Sequence, residues 1–323
     1  MSKQVAPALA WDWSSAALGA AYALPGAVLI LSDVPRGLAL ALGVLPASIA
    51  GLIPRRRGRV AIVALGASIG LPMFVGGLLA GIPVLAVLAI LGLGVASALL
   101  AARFALGRIV MTLCLPMVGV GLSYSDVGKA AGAAALMVGG SVFACGISMF
   151  WPERPARAAR AAAAPPTLAY GVRLGTAGAT AAAIGFALDL DHVGWACAAA
   201  LMVMRPEAEM QRLRSVGRVV AVVIGALAAI GIVRLTPAAW VYSLAAIAAV
   251  AGVGAMRGSR WYVTPAFTTF LVFLLLLHSR PQDAASRFNQ RVVETLLGVA
   301  IAYLFGLLLP AVERRLRGPA PAP

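Results

Sequence analysis

The sequence predicts an all-α, polytopic membrane protein of about twelve transmembrane helices, arranged as two parallel six-helix repeats with both termini cytoplasmic. Three observations carry that prediction. First, hydrophobic residues make up 62% of the 323 positions and charged residues only 11%, with a mean hydropathy of +0.95. A soluble globular chain cannot bury that much apolar surface. Second, the apolar residues fall into twelve segments separated by short polar stretches. Third, landmarks recur at a near-constant shift. Arg59-Val-Ala-Ile-Val-Ala-Leu-Gly66 matches Arg218-Val-Val-Ala-Val-Val-Ile-Gly225 at 159, Asp33 corresponds to Asp191 at 158, Pro46 to Pro206 at 160 and Pro152 to Pro310 at 158. Such a shift points to internal duplication.

The first six segments lie at roughly 16–32, 36–53, 60–79, 82–101, 105–122 and 127–151, and the second six at roughly 168–188, 192–206, 216–235, 238–256, 260–278 and 285–310. The expected domains are a first six-helix repeat over 1–152, a solvated linker rich in Pro and Arg over 153–167, a second repeat over 168–317 and a disordered tail over 318–323. Residues 1–15 carry no cleavable signal pattern, and Trp11 and Trp13 are expected at the membrane interface. An even number of helices per repeat makes the two copies parallel, so substrate would pass between the halves.

The net charge of +15 does not imply a nucleic-acid partner, because the basic residues cluster between apolar segments. With the N-terminus inside, 20 of the 26 Lys and Arg residues fall on the cytoplasmic side, as the positive-inside rule requires. Paired glycines, Gly66/Gly70, Gly77/Gly81, Gly128/Gly132, Gly171/Gly175 and Gly254/Gly258, predict close helix packing. Cys114, Cys145 and Cys197 sit in apolar segments without partners at motif spacing and read as small buried hydrophobes. Two histidines cannot build a His-rich metal centre, and no nucleotide loop, dinucleotide fingerprint or nucleophile–base–acid set occurs. The chain is therefore expected to be no enzyme and to need no metal or other cofactor.

Polar chemistry gathers at few places. The segment Val193 to Met204 is too short to cross about 30 Å of hydrocarbon alone. It runs from Asp189, Asp191, His192 and Trp195 to Arg205 and Pro206. Proline in the second helix of each repeat makes Pro46 and Pro206 candidate hinges. His192, directly after Asp191 and close to Asp189, is a candidate for proton coupling; it is equally an interfacial histidine at a helix start, with Trp195 as a belt aromatic. Arg287, Arg291 and Glu294, at i, i+4 and i+7, share a helix face. If that helix starts near Ala284, Glu294 lies about 15 Å in, where a charge needs a cavity or partner. If the apolar span starts at Val292, the two arginines rest in the headgroups. Arg173 and Arg218, near helix starts, read either as snorkelling side chains or as a basic funnel for anions. Trp261 and Tyr262 read as interface anchors or as a stacking surface for an aromatic substrate.

Val172-Arg-Leu-Gly175, Asp191-His-Val-Gly-Trp-Ala196, Leu201-Met-Val-Met-Arg-Pro206, Arg218 to Gly225 and Arg291-Val-Val-Glu-Thr-Leu-Leu-Gly298 resemble, in order and spacing, the fusaric acid resistance-like family of integral membrane transporters. Here Ala221-Val222 stands where Gly-Thr is usual, and Glu294 replaces an Asp. The large cytoplasmic domain that some members carry between their halves is absent. The resemblance implies an inner-membrane, multi-pass exporter of small organic, chiefly aromatic, carboxylic acids or related toxic compounds, of the aromatic acid exporter type. Its expected partners are the lipid bilayer, a small organic anion and protons. The residues expected to serve substrate are Arg291, Glu294, Arg218, Arg173, Arg205 and Trp195; those expected to couple protons are His192, Asp189, Asp191 and Glu294. The alternative is a passive organic-anion channel. A monomer, already a pseudo-dimer of repeats, and a homo-oligomer are both compatible with the sequence.

Overall fold

The computed structural model describes residues 9–124, 126–155, 164–235, 238–259, 263–278 and 281–316. Each of the twelve apolar segments is helical. In the first half these are α1 (Trp13–Ile30), α2 (Val34–Gly43) with α3 (Leu45–Ala50), α4 (Ala61–Leu79), α5 (Pro83–Arg103), α6 (Ala105–Ile109) with α7 (Leu115–Gly121), and α8 (Val127–Met149). In the second half they are α9 (Leu168–Ala187), α10 (Val193–Val203), α11 (Ala208–Arg234), α12 (Ala239–Ala255), α13 (Val263–His278), and α14 (Ala284–Tyr303) with α15 (Leu309–Leu316). A π-helical turn joins α6 to α7 at Val110–Cys114, and another joins α14 to α15 at Leu304–Leu308. Six helices are long and apolar enough to cross a membrane, and shorter apolar helices accompany them. The chain is a multi-pass, all-helical membrane protein.

Helix starts follow local chemistry. Asp12 caps α1, accepting from the Ser14 amide at 3.2 Å and the Ser15 hydroxyl at 2.5 Å. Asp33 caps α2 through the Arg36 amide, and Thr167 caps α9 through the Tyr170 amide. Pro46 falls in the first turn of α3, where its missing N–H costs nothing, directly after the break from α2 at Val44.

The chain divides into two compact units. One takes residues 1–71, 131–161 and 217–292, the other 72–130, 162–216 and 293–323. Each unit therefore draws on both halves of the sequence, and α4, α8, α11 and α14 each contribute to both. In the first unit α1 packs along α12, and α2 along α13. Tyr22, Leu38, Phe273 and Leu274 sit in its core. In the second, α9 packs along α5 and α10 along α7, around Ile90, Leu174, Leu201 and Met204. The two sets of contacts use helices at the same positions counted along each half.

Small residues set these approaches. A methyl added at Gly94 would stand 2.3 Å from the Gly175 Cα, and one at Gly19 would stand 2.7 Å from the Val250 carbonyl oxygen. Gly66 and Gly70 of α4 face Ser141 and Ala134 of α8 in the same way. The expectation fails for Gly128 and Gly132: an added methyl meets nothing within 4 Å at Gly132, and at Gly128 only the nearby Asp126 carboxylate. Spacing alone does not say which side of a helix faces a neighbour.

Candidate transport site

The stretch around α10 belongs entirely to the second unit. Asp189 adopts a left-handed backbone (φ 48°), which turns the chain out of α9. Asp189 and Asp191 are exposed. His192 takes the position before the first turn of α10, and its ring stacks on Trp195 with centroids 4.0 Å apart at 20°. Trp195 is buried, as are all residues from Gly194 to Leu201. An eleven-residue helix spans about 16 Å, half the hydrocarbon thickness. Burial on nearly every side explains how so short a helix persists: its ends meet protein. Gly194 lies against Gly119 and Ser123 at the end of α7.

α10 ends at Val203, so Pro206 lies in the link to α11 and interrupts no helix. Arg205 in this link donates to the Met204 carbonyl. The following helix starts at Ala208, eight residues before the expected 216, and runs for 27 residues. Arg212 and Arg214, which the sequence places before that helix, are helical. Arg218 thereby stands ten residues into α11 and is only 6% exposed, which removes the snorkelling reading for it. Among the described residues its Nε has no hydrogen-bond partner, and no carboxylate pairs with it.

Arg59 opens the matching motif in the first half and has a different fate. It is fully buried, and its guanidinium donates to the carbonyl oxygens of Ile53 (3.1 Å), Trp151 (2.9 Å), Pro152 (3.1 Å) and Ser148. Three of those carbonyls lie at or just beyond the end of α8, where a helix leaves its last C=O groups unpaired and its dipole favours a cation. Arg59 is a structural cap. Nothing in the sequence distinguishes it from Arg218.

α14 begins at Ala284, as the reading that buries Glu294 requires. Glu294 is 3% exposed and Thr295 1%, the Thr295 hydroxyl having no partner among the described residues. Arg287 and Arg291 are partly buried. Gly298 sets α14 against α10: an added methyl would stand 2.3 Å from the Ala196 carbonyl oxygen and 2.8 Å from the Ala199 Cβ. One turn further on, Gln211, fully buried, donates to the Ala302 carbonyl at 2.6 Å. Its amide occupies the space beside Gly306 in the π-helical turn, a distortion that tends to mark functional sites. Gln211 and this turn were not visible in the sequence, where a lone Gln among arginines and a Gly in an apolar helix carry no signal.

Beside the same turn a cavity of about 270 Å³ is lined by Arg173, Pro206, Gly306, Pro310, Glu313 and Arg314. Arg173 also donates from Nε to the Ala169 carbonyl of its own helix. The second unit thus gathers His192, Trp195 and Glu294 along α10 and α14, and Arg173 and Pro206 around the cavity. Pro46, Arg218 and Arg291 belong to the first unit. Trp261, Tyr262, linker residues 156–163 and tail residues 318–323 lie outside the described residues.

No curated protein and no solved structure matches the chain. A family model described as fusaric acid resistance protein-like matches residues 180–305, from α9 to the π-helical turn after α14. That stretch holds Asp189, Asp191, His192, Trp195, Arg205, Pro206, Arg218, Arg291 and Glu294, and over it the chain is similar to the fusaric acid resistance protein-like family of membrane transport proteins.

Proposed function

We propose that this protein exports small organic carboxylates, aromatic ones foremost, across the inner membrane and draws on the proton gradient to do so. The observation that carries this reading is Arg218. A buried guanidinium without a counter-charge is costly, on the order of several kcal/mol. The protein tolerates it inside α11 although the equivalent Arg59 is fully satisfied by carbonyls. A carboxylate arriving as substrate relieves that cost, through the paired N–H geometry that suits guanidinium. The cavity beside Arg173 and Arg314 supports an intake for anions on the cytoplasmic side, and the stacked His192 and Trp195 mark the opposite end of α10.

The test is uptake of labelled aromatic carboxylates into proteoliposomes, with and without an imposed pH gradient. Accumulation should collapse when the gradient is dissipated and should be lost in Arg218→Gln. Flux that ignores the pH gradient and follows voltage would make the protein a passive anion channel. Absence of flux for every carboxylate overturns the reading.

A further inference from the structure

Two fixed points align α14 with α10. Gly298 lies against Ala196, Ala199 and Ala200, and Ala302 accepts from Gln211, further along the chain after α10. Later residues of α14 thus meet later residues of the α10–α11 segment, so the two helices run parallel at this contact. Stepping back one turn from Gly298 reaches Glu294, and one turn back from Ala196 reaches His192. His192, Ala196 and Ala199 or Ala200 form one stripe at i, i+4 and i+7 or i+8, as Glu294, Gly298 and Ala302 do on α14. A nearly inaccessible carboxylate therefore lies level with an imidazole whose plane is fixed by Trp195.

We propose that His192 and Glu294 form one proton-holding pair at the outer end of α10, and that protons enter the transport cycle there. Its coupling role rests on the exporter reading above; the pairing itself does not. Other groups bear on it. Asp189 and Asp191 precede His192 in its own turn, Arg291 precedes Glu294 on α14, and Ser123, followed by Tyr124, lies just past α7 against Gly194. Of the three carboxylates, Glu294 alone is buried. A burial-enforced neighbour holds a proton between the two groups more tightly than an exposed aspartate screened by water.

The chain has two histidines, which makes the pair directly observable by ¹⁵N-histidine NMR of the whole protein in lipid nanodiscs. In Glu294→Gln the His192 titration midpoint should fall by about one pH unit, whereas Asp189→Asn and Asp191→Asn should move it far less. His278, set edge-on to Tyr242 at 5.1 Å, reports whether each variant is folded. The unaltered protein supplies a second measurement: ¹³C-glutamate labelling should give a through-space cross-peak from the His192 ring to a glutamate carboxyl carbon. An unmoved midpoint in folded Glu294→Gln, or no cross-peak in the unaltered protein, overturns the pairing. A pair that forms while carboxylate flux stays indifferent to pH overturns its role in coupling.

Discussion

Gln211 donates its side-chain amide to the Ala302 carbonyl oxygen at 2.6 Å, a buried bond between residues 91 positions apart. It secures the start of α11 to the end of α14, just before the π-helical turn. A methyl at Gly306 would stand 2.1 Å from the Gln211 amide nitrogen. Gly306→Ala should therefore lower the melting temperature in detergent, and Gln211→Ala should cost about 1–3 kcal/mol for the orphaned carbonyl. The double variant should cost less than the sum, because removing the amide makes room for the methyl. Additive losses would show that the two residues do not share the space.

Arg218 and Arg59 should separate function from stability. Arg218→Met removes an uncompensated buried charge, so the melting temperature should hold or rise while carboxylate flux falls at least tenfold. Arg59→Met strips several buried carbonyls of their donor and should destabilise by about 3 kcal/mol or more. Thermal melts beside flux measurements decide it: a strongly destabilised Arg218→Met would show that Arg218, like Arg59, holds the fold together.

Glycines of similar sequence context should behave in opposite ways. Gly175→Ala puts a methyl 2.4 Å from the Leu91 carbonyl oxygen, a backbone atom that cannot swing aside, and should force α9 away from α5. Gly132→Ala meets nothing and should gain up to about 1 kcal/mol from helix propensity. Melting temperatures of the two variants should move in opposite directions from the parent.

Acid should loosen the start of α1. The Ser15 hydroxyl, then the Ser14 amide and the Arg154 guanidinium, hold the Asp12 carboxyl below its ordinary value of 3.8, against the opposing pull of burial. A depressed carboxyl stabilises the fold above its unfolded value, and that contribution disappears as pH falls through the folded value. The melting temperature of the parent should thus decline below about pH 4 more steeply than that of Asp12→Asn. Parallel declines would assign acid sensitivity to other groups.

The helices were legible because membrane helices announce themselves through long apolar runs, and α4, α5, α8 and α9 begin within a residue of where the sequence places them. The likeness to the fusaric acid resistance protein-like family was legible through the ordered motifs from Asp191 to Gly298. Reading failed where burial contradicts polarity. The start of α11 was hidden by Arg212 and Arg214, which resemble a solvated loop in the sequence although Arg214 is partly buried in the helix. Gln211 gave no signal for the same reason. Arg59 and Arg218 share a motif, yet only three-dimensional surroundings reveal that one caps a helix and the other lacks a partner among the described residues. Gly128 and Gly132 repeat at packing distance but meet no neighbouring helix, a choice of face that spacing does not encode.

The interleaving of the two units also sets an order of events during synthesis. α1 cannot settle until α12 has been made, more than 200 residues later. At 5–20 residues per second the wait lasts roughly 10–45 s. α5 waits a shorter time for α9. Through that interval the first half lies in the bilayer with the faces of Gly19 and Gly94 uncovered, dependent on the insertion machinery to hold it. A ribosome that stops after residue 152 leaves both units incomplete, so such a fragment should be degraded, and supplying residues 153–323 as a separate chain should rescue it.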